Sequence, residues 1–430
     1  MADQKHRIVI VGGGFGGLAA AKALQRADAD IVLIDRRNHH LFQPLLYQVA
    51  TAALSPSEVA WPIRHLLRKQ ANVRVLMGTV TGIDTEKREV VLEDGSREHF
   101  DSLVLATGAQ HAYFGNDQWE AYAPGLKTVE DATAIRRKLL LALEAAERET
   151  NPARRRALLT FAIIGAGPTG VEMAGAIIEL GHASIKGQFN TIAPHDLRVV
   201  LIEGADRVLL NFEPELSAYT QRAMEKMGVE VELGQMVSEI DADGVSFGDK
   251  RIETKTIIWA AGVAASPVAK WLGIEGDKAG RVKVGPDLSL PGHPEIFVIG
   301  DAASITRDNG KPVPGVAPAA KQAGQHVARV ITRRLAGDHT QLPFRYNHAG
   351  DLATIGKSSA VIDFGWTKLK GWFAWWVWGI AHIYFLVETR TRIFITMSWL
   401  WIYLTGQRSS RLITHGMAPE KKPLEEVDED

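Results

Sequence analysis

The sequence predicts an α/β fold: two Rossmann-like dinucleotide-binding domains followed by a C-terminal helical membrane-anchoring segment. Three observations predict it. "RIVIVGGGFGGLAAAKAL" (residues 7–24) and "LLTFAIIGAGPTGVEMAGAI" (158–177) each run an apolar strand into a glycine-rich turn and then a helix start. Seven of the eleven tryptophans crowd between Trp366 and Trp401. The 430 residues exceed what one compact core accommodates and suit two or three domains.

The bulk composition excludes several chemistries. The chain is 46% apolar and 23% charged, with a formal net charge of −1, so no global field attracts nucleic acid. The basic run at 154–156 reads as a solvated linker face. There is no cysteine. Disulfide frameworks, thiolate catalysis and cysteine-ligated metal or iron–sulfur sites are therefore excluded. His39 and His40 have no metal-like spacing with any acid, and no metal is expected. The first strand begins so close to Met1 that no targeting segment is expected.

Element by element, the first glycine turn is followed by strands within 73–84, 89–95 and 100–108, with Asp94-Gly95 as a hairpin turn. Ile135, Leu139, Leu143 and Ala146 share one side of a helix over 129–148. The second module places strands at 198–202, 229–233 and 256–260. Another buried strand, 295–299, ends in Gly300-Asp301, and a helix over 317–334 follows. The stretch 371–387 holds one polar side chain, His382, and 393–404 is almost as apolar. The acidic end, from Glu420, reads as disordered.

Glycines let a backbone approach a pyrophosphate, and a helix N-terminus offers free N–H groups and partial positive charge. Gly12, Gly14 and Gly17 form the first set. Asp35 lies 18 residues beyond Gly17, where a carboxylate can bind ribose hydroxyls. Gly165, Gly167 and Gly170 form the second set, with Glu203 as its acid. The 33-residue gap from Gly170 is long and reads as an insertion over 181–196. An acid there repels a 2′-phosphate and favours NADH over NADPH.

The segments "LVLATGA" (103–109) and "IFVIGD" (296–301) resemble signatures of two-dinucleotide-binding flavoproteins. That resemblance implies FAD on Gly12, Gly14, Gly17, Asp35, Thr107, Gly108, Gly300 and Asp301, and NADH on Gly165, Gly167, Gly170 and Glu203. It implies an FAD domain from 1–113 and 278–345, an NADH domain over 114–277, and a membrane-association region over 346–430. It also aims the N-terminus of the helix starting near 314–317 at the flavin.

The second electron acceptor discriminates within that superfamily. Without cysteine, disulfide reduction and thiol-dependent sulfide oxidation are unavailable. A quinone or a redox protein such as ferredoxin remains, or a flavin-binding sensor with no turnover. The aromatic C-terminus favours a quinone and a membrane surface. Lys368, Lys370, Arg390, Arg392, Arg408 and Arg411 flank the apolar stretches and can reach lipid phosphates. A buried layer or dimer interface and a spanning helix are the competing readings of that segment.

With "VGGGFGGL", "RRNHHLFQPLLYQVATAALSP" (36–56), "GAGPTGVEMAGA" and "VPGVAPAAKQ" (313–322), the chain resembles type II NADH:quinone oxidoreductases. The resemblance implies a non-proton-pumping, peripheral enzyme on the cytoplasmic face of the membrane, a homodimer, using a quinone such as ubiquinone. It aligns Ala317, Pro318 and Gln322 with the family's quinone-lining motif. Pro318 stands where the family has its first glutamine, leaving Lys321 to supply a polar group. It also points to Glu172 as the carboxylate beside flavin and quinone and to Gln48 near the flavin. His382, alone in its apolar run, reads either as a satisfied core histidine or as a residue of the quinone entrance. Glu172 is expected in the first turn of its helix, where it could instead only complement the dipole.

Overall fold

The computed structural model describes residues 5–413 apart from 308, 387 and 409. In chain order, β1 (His6–Val11) leads through the first glycine turn into α1 (Phe15–Ala23) and β2 (Ala29–Asp35). β3 (Val73–Met77) and β4 (Ser102–Leu105) follow, then α2 (Val129–Arg148). The second unit is β5 (Thr160–Ile164), α3 (Pro168–Ile185), β6 (Arg198–Ile202), α4 (Pro214–Met227), β7 (Val229–Glu232) and β8 (Thr256–Trp259). β9 (His293–Val298) and α5 (Ala317–Leu335) return the chain to the first unit.

Two parallel sheets result. One runs β9-β4-β1-β2-β3, with the short strand Ser289–Leu290 antiparallel at the β9 edge. The other runs β7-β6-β5-β8. β4, β5 and β8 are buried along their whole length, as expected when helices or further sheet cover both faces. Antiparallel residues 109–111 and 263–265 bridge the two sheets. The Thr107 hydroxyl meets the Ser266 hydroxyl at 2.5 Å beside that ribbon.

Helix packing positions the site. α1 and α5 cross where a Cβ on Gly324 would lie 2.1 Å from the Gly16 carbonyl oxygen. Only glycine allows that approach, and it carries the start of α5 to the edge of the first turn. The expected insertion over 181–196 is partly helix. α3 continues to Ile185, and only the remainder forms a connecting loop.

The C-terminal region is not purely helical. β10 (Asp351–Thr354), β11 (Ala360–Asp363) and β12 (Lys368–Gly371) form an antiparallel meander before α6 (Trp372–Phe385) and α7 (Thr389–Thr405). Their interleaved charges and glycines hid the alternation. The buried-layer expectation holds for one face of the helices, and the other face is exposed. Ala374, Trp378, Leu386 and Ile395 join one apolar core with α3 and residues 42–61. Trp372, Phe373, Ile380, Tyr384, Ile393, Phe394, Met397, Trp401 and Leu404 are exposed. No helix among the described residues is long and apolar enough to cross a membrane. The acidic tail lies outside the described residues.

Most of the cations expected at lipid phosphates are engaged by the protein. Lys368 and Lys370 pair with Glu213 and Glu215 at 3.3 and 2.6 Å. Arg392 donates to the carbonyls of Tyr384 and Leu386 and so caps α6. Arg411 donates to Gln188 and to the Arg408 carbonyl. Arg408 is 6% exposed and donates to the Thr51 carbonyl at 2.8 Å and to Glu179 at 3.1 Å. Removing it strands a partly buried carboxylate, so Arg408→Ala should cost about 3 kcal/mol. Chemical denaturation of the holoprotein measures that loss.

Candidate active site

A cleft of about 1620 Å³ opens between the two sheets and the C-terminal helices. A single small-molecule pocket spans roughly 300–1,000 Å³, so this one has room for a dinucleotide and a second ligand. Gly12, Gly14, Asp35, Thr107, Gly108, Gly300 and Asp301 line it. Glu172, Ala317, Pro318, Lys321, His382 and Phe385 line the same space.

The two glycine turns are near copies. Gly12 and Gly165 have φ of +104° and +98°, where a side chain is strained. A Cβ on Gly17 would meet the Gly12 carbonyl oxygen at 1.8 Å, and one on Gly170 the Gly165 oxygen at 1.8 Å. The middle glycines differ in kind: a Cβ on Gly14 or Gly167 meets nothing within 4 Å. Protein packing does not exclude a side chain there. The open space at both positions is what a pyrophosphate needs, and both residues cap a helix N-terminus.

The acids are also copies. Asp35 accepts from the Gly13 N–H at 2.6 Å and the Arg37 N–H at 2.7 Å. Glu203 accepts from the Ala166 N–H at 2.6 Å and the Ala205 N–H at 2.9 Å. Each oxygen takes one backbone donor, leaving lone pairs for ribose hydroxyls. The second turn, Gly165, Gly167 and Gly170, and its acid Glu203 do not line this cleft. Pro168 and Thr169, at the start of α3, connect the two.

Glu172 is in the second turn of α3, not the first, because the helix begins at Pro168. A dipole-complementing role is correspondingly weak. Burial pushes its carboxyl up to about 8, against a small opposing pull from the Thr354 N–H, 3.5 Å from Oε1. Glu172 therefore holds a proton through most of the neutral range. His382 Nδ1 donates to the Trp378 carbonyl at 2.8 Å, and its ring stacks on Trp378. Burial lowers the ring to about 4, with that carbonyl opposing. The ring is neutral and offers an Nε2 lone pair as acceptor.

Two expected contacts fall elsewhere. Gln322 turns off the cleft and clasps the Asn347 backbone, with N–H and carbonyl bonds both 2.9 Å. One residue along a helix rotates a side chain by about 100°, so Lys321 faces the cleft and Gln322 does not. Gln48 lies behind Tyr47, which lines the cleft in its place.

Three residues escaped the sequence reading. Tyr47 is one. Buried His40 donates from Nδ1 to the Gly13 carbonyl at 2.9 Å and braces the first turn. Lys127 lines the cleft; burial lowers its ammonium, and the charge of Asp301 opposes that. The adjacency of His40 and Tyr47 to "FQP" was their only sequence signal.

Residues 6–324 match the family model for pyridine nucleotide-disulphide oxidoreductases, and 348–408 match the NDH2 C-terminal domain. The type II NADH:quinone oxidoreductase Ndh of Mycobacterium tuberculosis is 44% identical, covering 99% of this chain and 94% of that protein. The chain belongs to the type II NADH:quinone oxidoreductase family. NdhA of the same organism is also 44% identical, covering 96% of this chain and 90% of that protein. An internal alternative NAD(P)H-ubiquinone oxidoreductase of Arabidopsis thaliana is 28% identical over 95% of the chain and 86% of its own length. In fold, the chain is similar to NDH2 from Plasmodium falciparum solved with NADH. The TM-score is 0.86 at 20% identity, covering 96% of this chain and 100% of that one. The disulphide chemistry in the broader family's name is unavailable to this cysteine-free member.

Two predictions follow from the geometry. Gly14→Val should abolish flavin retention yet melt within about 1 kcal/mol of the flavin-free parent, since a Cβ there meets no protein atom. Gly17→Val should cost about 3 kcal/mol or more, since the clash is with backbone; melting curves and flavin content separate the two. For Glu172, the folded carboxyl binds its proton more tightly than the unfolded one. Its stabilising contribution is full below pH 4.5 and is lost as pH rises to about 8. Glu172→Gln, neutral throughout, should gain melting temperature over the parent across that window and hold the gain above it.

Proposed function

We propose that this chain is a membrane-peripheral, FAD-dependent NADH:quinone oxidoreductase that does not pump protons. The observation that carries this is the continuity of one thiol-free cleft. It runs from the first glycine turn to Ala381, His382 and Phe385 on an aromatic helix with an exposed outer face. A dinucleotide fits at one end, and an apolar oxidant can enter at the other.

The first turn, Asp35, Thr107, Gly108, Gly300 and Asp301 would hold FAD; the second turn and Glu203 would hold NADH. When bound, FAD supplies the redox chemistry, accepting a hydride from NADH and passing two electrons to the quinone. The start of α5 at Ala317 and Pro318 places a partial positive charge beside the first turn. Glu172 keeps one proton in the cleft at neutral pH. Quinone reduction consumes two protons, one more than NADH supplies, and a protonated carboxyl can deliver the balance. Lys321 and His382 flank the apolar mouth, with the Lys321 ammonium 6.0 Å from the Phe385 ring centre.

The exposed faces of α6 and α7 support docking on a lipid surface. Because Lys368, Lys370 and Arg408 are occupied, aromatic insertion rather than headgroup charge dominates that docking. NADH is charged and does not cross bilayers, so the enzyme belongs on the cytoplasmic face. The homodimer implied by the resemblance is part of the same proposal, and light scattering in detergent tests it.

The central test is NADH oxidation by purified protein with a short-chain quinone, set beside NADPH. Quinone-dependent turnover with NADH well above NADPH is expected; a flavin that NADH never bleaches refutes the assignment. Removing α6 and α7 entirely would open the core at Trp378 and Ile395, so point changes test the membrane face better. Phe373→Asp with Leu404→Asp should abolish vesicle flotation while flavin content stays at the parent level.

A further inference from the structure

Three side chains connect α7 to the cleft, and each bond in the chain has one possible direction. The Trp399 indole N–H can only donate, and it reaches Gln48 Oε1 at 2.7 Å. That contact settles which end of the Gln48 amide faces α7. The amide nitrogen therefore faces Tyr47, 2.9 Å from the phenolic oxygen, and donates to it. The Tyr47 proton cannot occupy the same line. It must point elsewhere, and Tyr47 lines the cleft with Glu172.

The chain is sealed and anchored. Tyr47 and Gln48 are each 8% exposed. The Ser398 hydroxyl, next to Trp399, donates to Glu58 at 3.0 Å, and Arg408 pins the chain just beyond α7 to Thr51 and Glu179. Burial and the nearby Glu172 hold the Tyr47 phenol well above its usual range, so it keeps its proton.

We propose that Trp399 and Gln48 are positioning residues that lock the Tyr47 hydroxyl as a hydrogen-bond donor into the cleft, toward a carbonyl oxygen of the quinone. This rests on the quinone-reductase reading above. A quinone carbonyl only accepts, so a fixed donor complements it. The reduced product presents hydroxyl donors, which a fixed donor suits less well, and release is favoured. Packing of α7 against the body thereby sets the geometry of the oxidant site from outside the cleft.

The test uses the flavin-loaded holoenzyme and a short-chain ubiquinone. Trp399→Phe keeps an aromatic side chain and deletes the indole N–H that orients Gln48. It should slow reoxidation of the reduced flavin roughly 3- to 10-fold and weaken quinone binding, read by flavin fluorescence, to a similar extent. Flavin reduction by NADH and vesicle flotation should not change. Tyr47→Phe should lose as much, and the Tyr47→Phe/Trp399→Phe double variant should be no worse than Tyr47→Phe alone. Losses that multiply, or an unchanged Trp399→Phe, overturn the proposal. If Trp399→Phe does not retain flavin, Gln48→Met deletes both bonds without touching α7 and is held to the same outcomes. A parent enzyme that NADH reduces but quinone never reoxidises overturns the underlying reading instead, which the parent measurement alone reveals.

Discussion

A close backbone approach, made twice, governs this molecule. Gly17 and Gly170 each let a helix press onto the carbonyl that opens its own turn, at a distance no Cβ tolerates. That contact swings the helix N-terminus against the strand ends and frees the middle of the turn for phosphates. The carboxylates of Asp35 and Glu203 then tie each turn to the neighbouring strand through backbone N–H groups. A third close approach, Gly324 on Gly16, brings α5 to the first turn and completes one wall of the cleft.

From this frame the division of labour is chemical. The first turn opens directly into the cleft, whereas the second meets it only through Pro168 and Thr169. Glu172, His382 and Tyr47 enter from three different elements and differ in what they present: a proton-bearing carboxyl, a neutral acceptor and an oriented donor. Burial sets the first two, and hydrogen-bond direction sets the third.

Elements were legible wherever short-range rules dominate. The helix over Val129–Arg148 appears with the expected bounds, because its apolar stripe and the Thr128–Asp131 capping box agree. The glycine turns and their acids were legible for the same reason, since strand, turn and helix are contiguous. Side-chain direction across long separations was not. Gln322 is one residue away from Lys321, yet only the packed α5 reveals which of them meets the cleft. Gln48 and Tyr47 likewise exchange expected places, because the partner that orients Gln48 is Trp399, 351 positions later. The β10–β12 meander was hidden among charges, and Lys368 and Lys370 found carboxylates on α4's N-terminal turn that no local pattern announces.

The order of strands carries a consequence for biogenesis. The β7-β6-β5-β8 sheet draws on one uninterrupted stretch and can close as soon as that stretch has left the ribosome. The other parallel sheet pairs β4 with β9, so its edge stays open until the chain has grown past Val298. Asp301 and α5 emerge later still, and Arg408 latches onto Thr51 last. The unit built around the second glycine turn is thus the early-folding one, while the cleft at the first turn is assembled around a chain nearly complete. Filling of that cleft is placed at the end of synthesis, when non-local pairings are finally made.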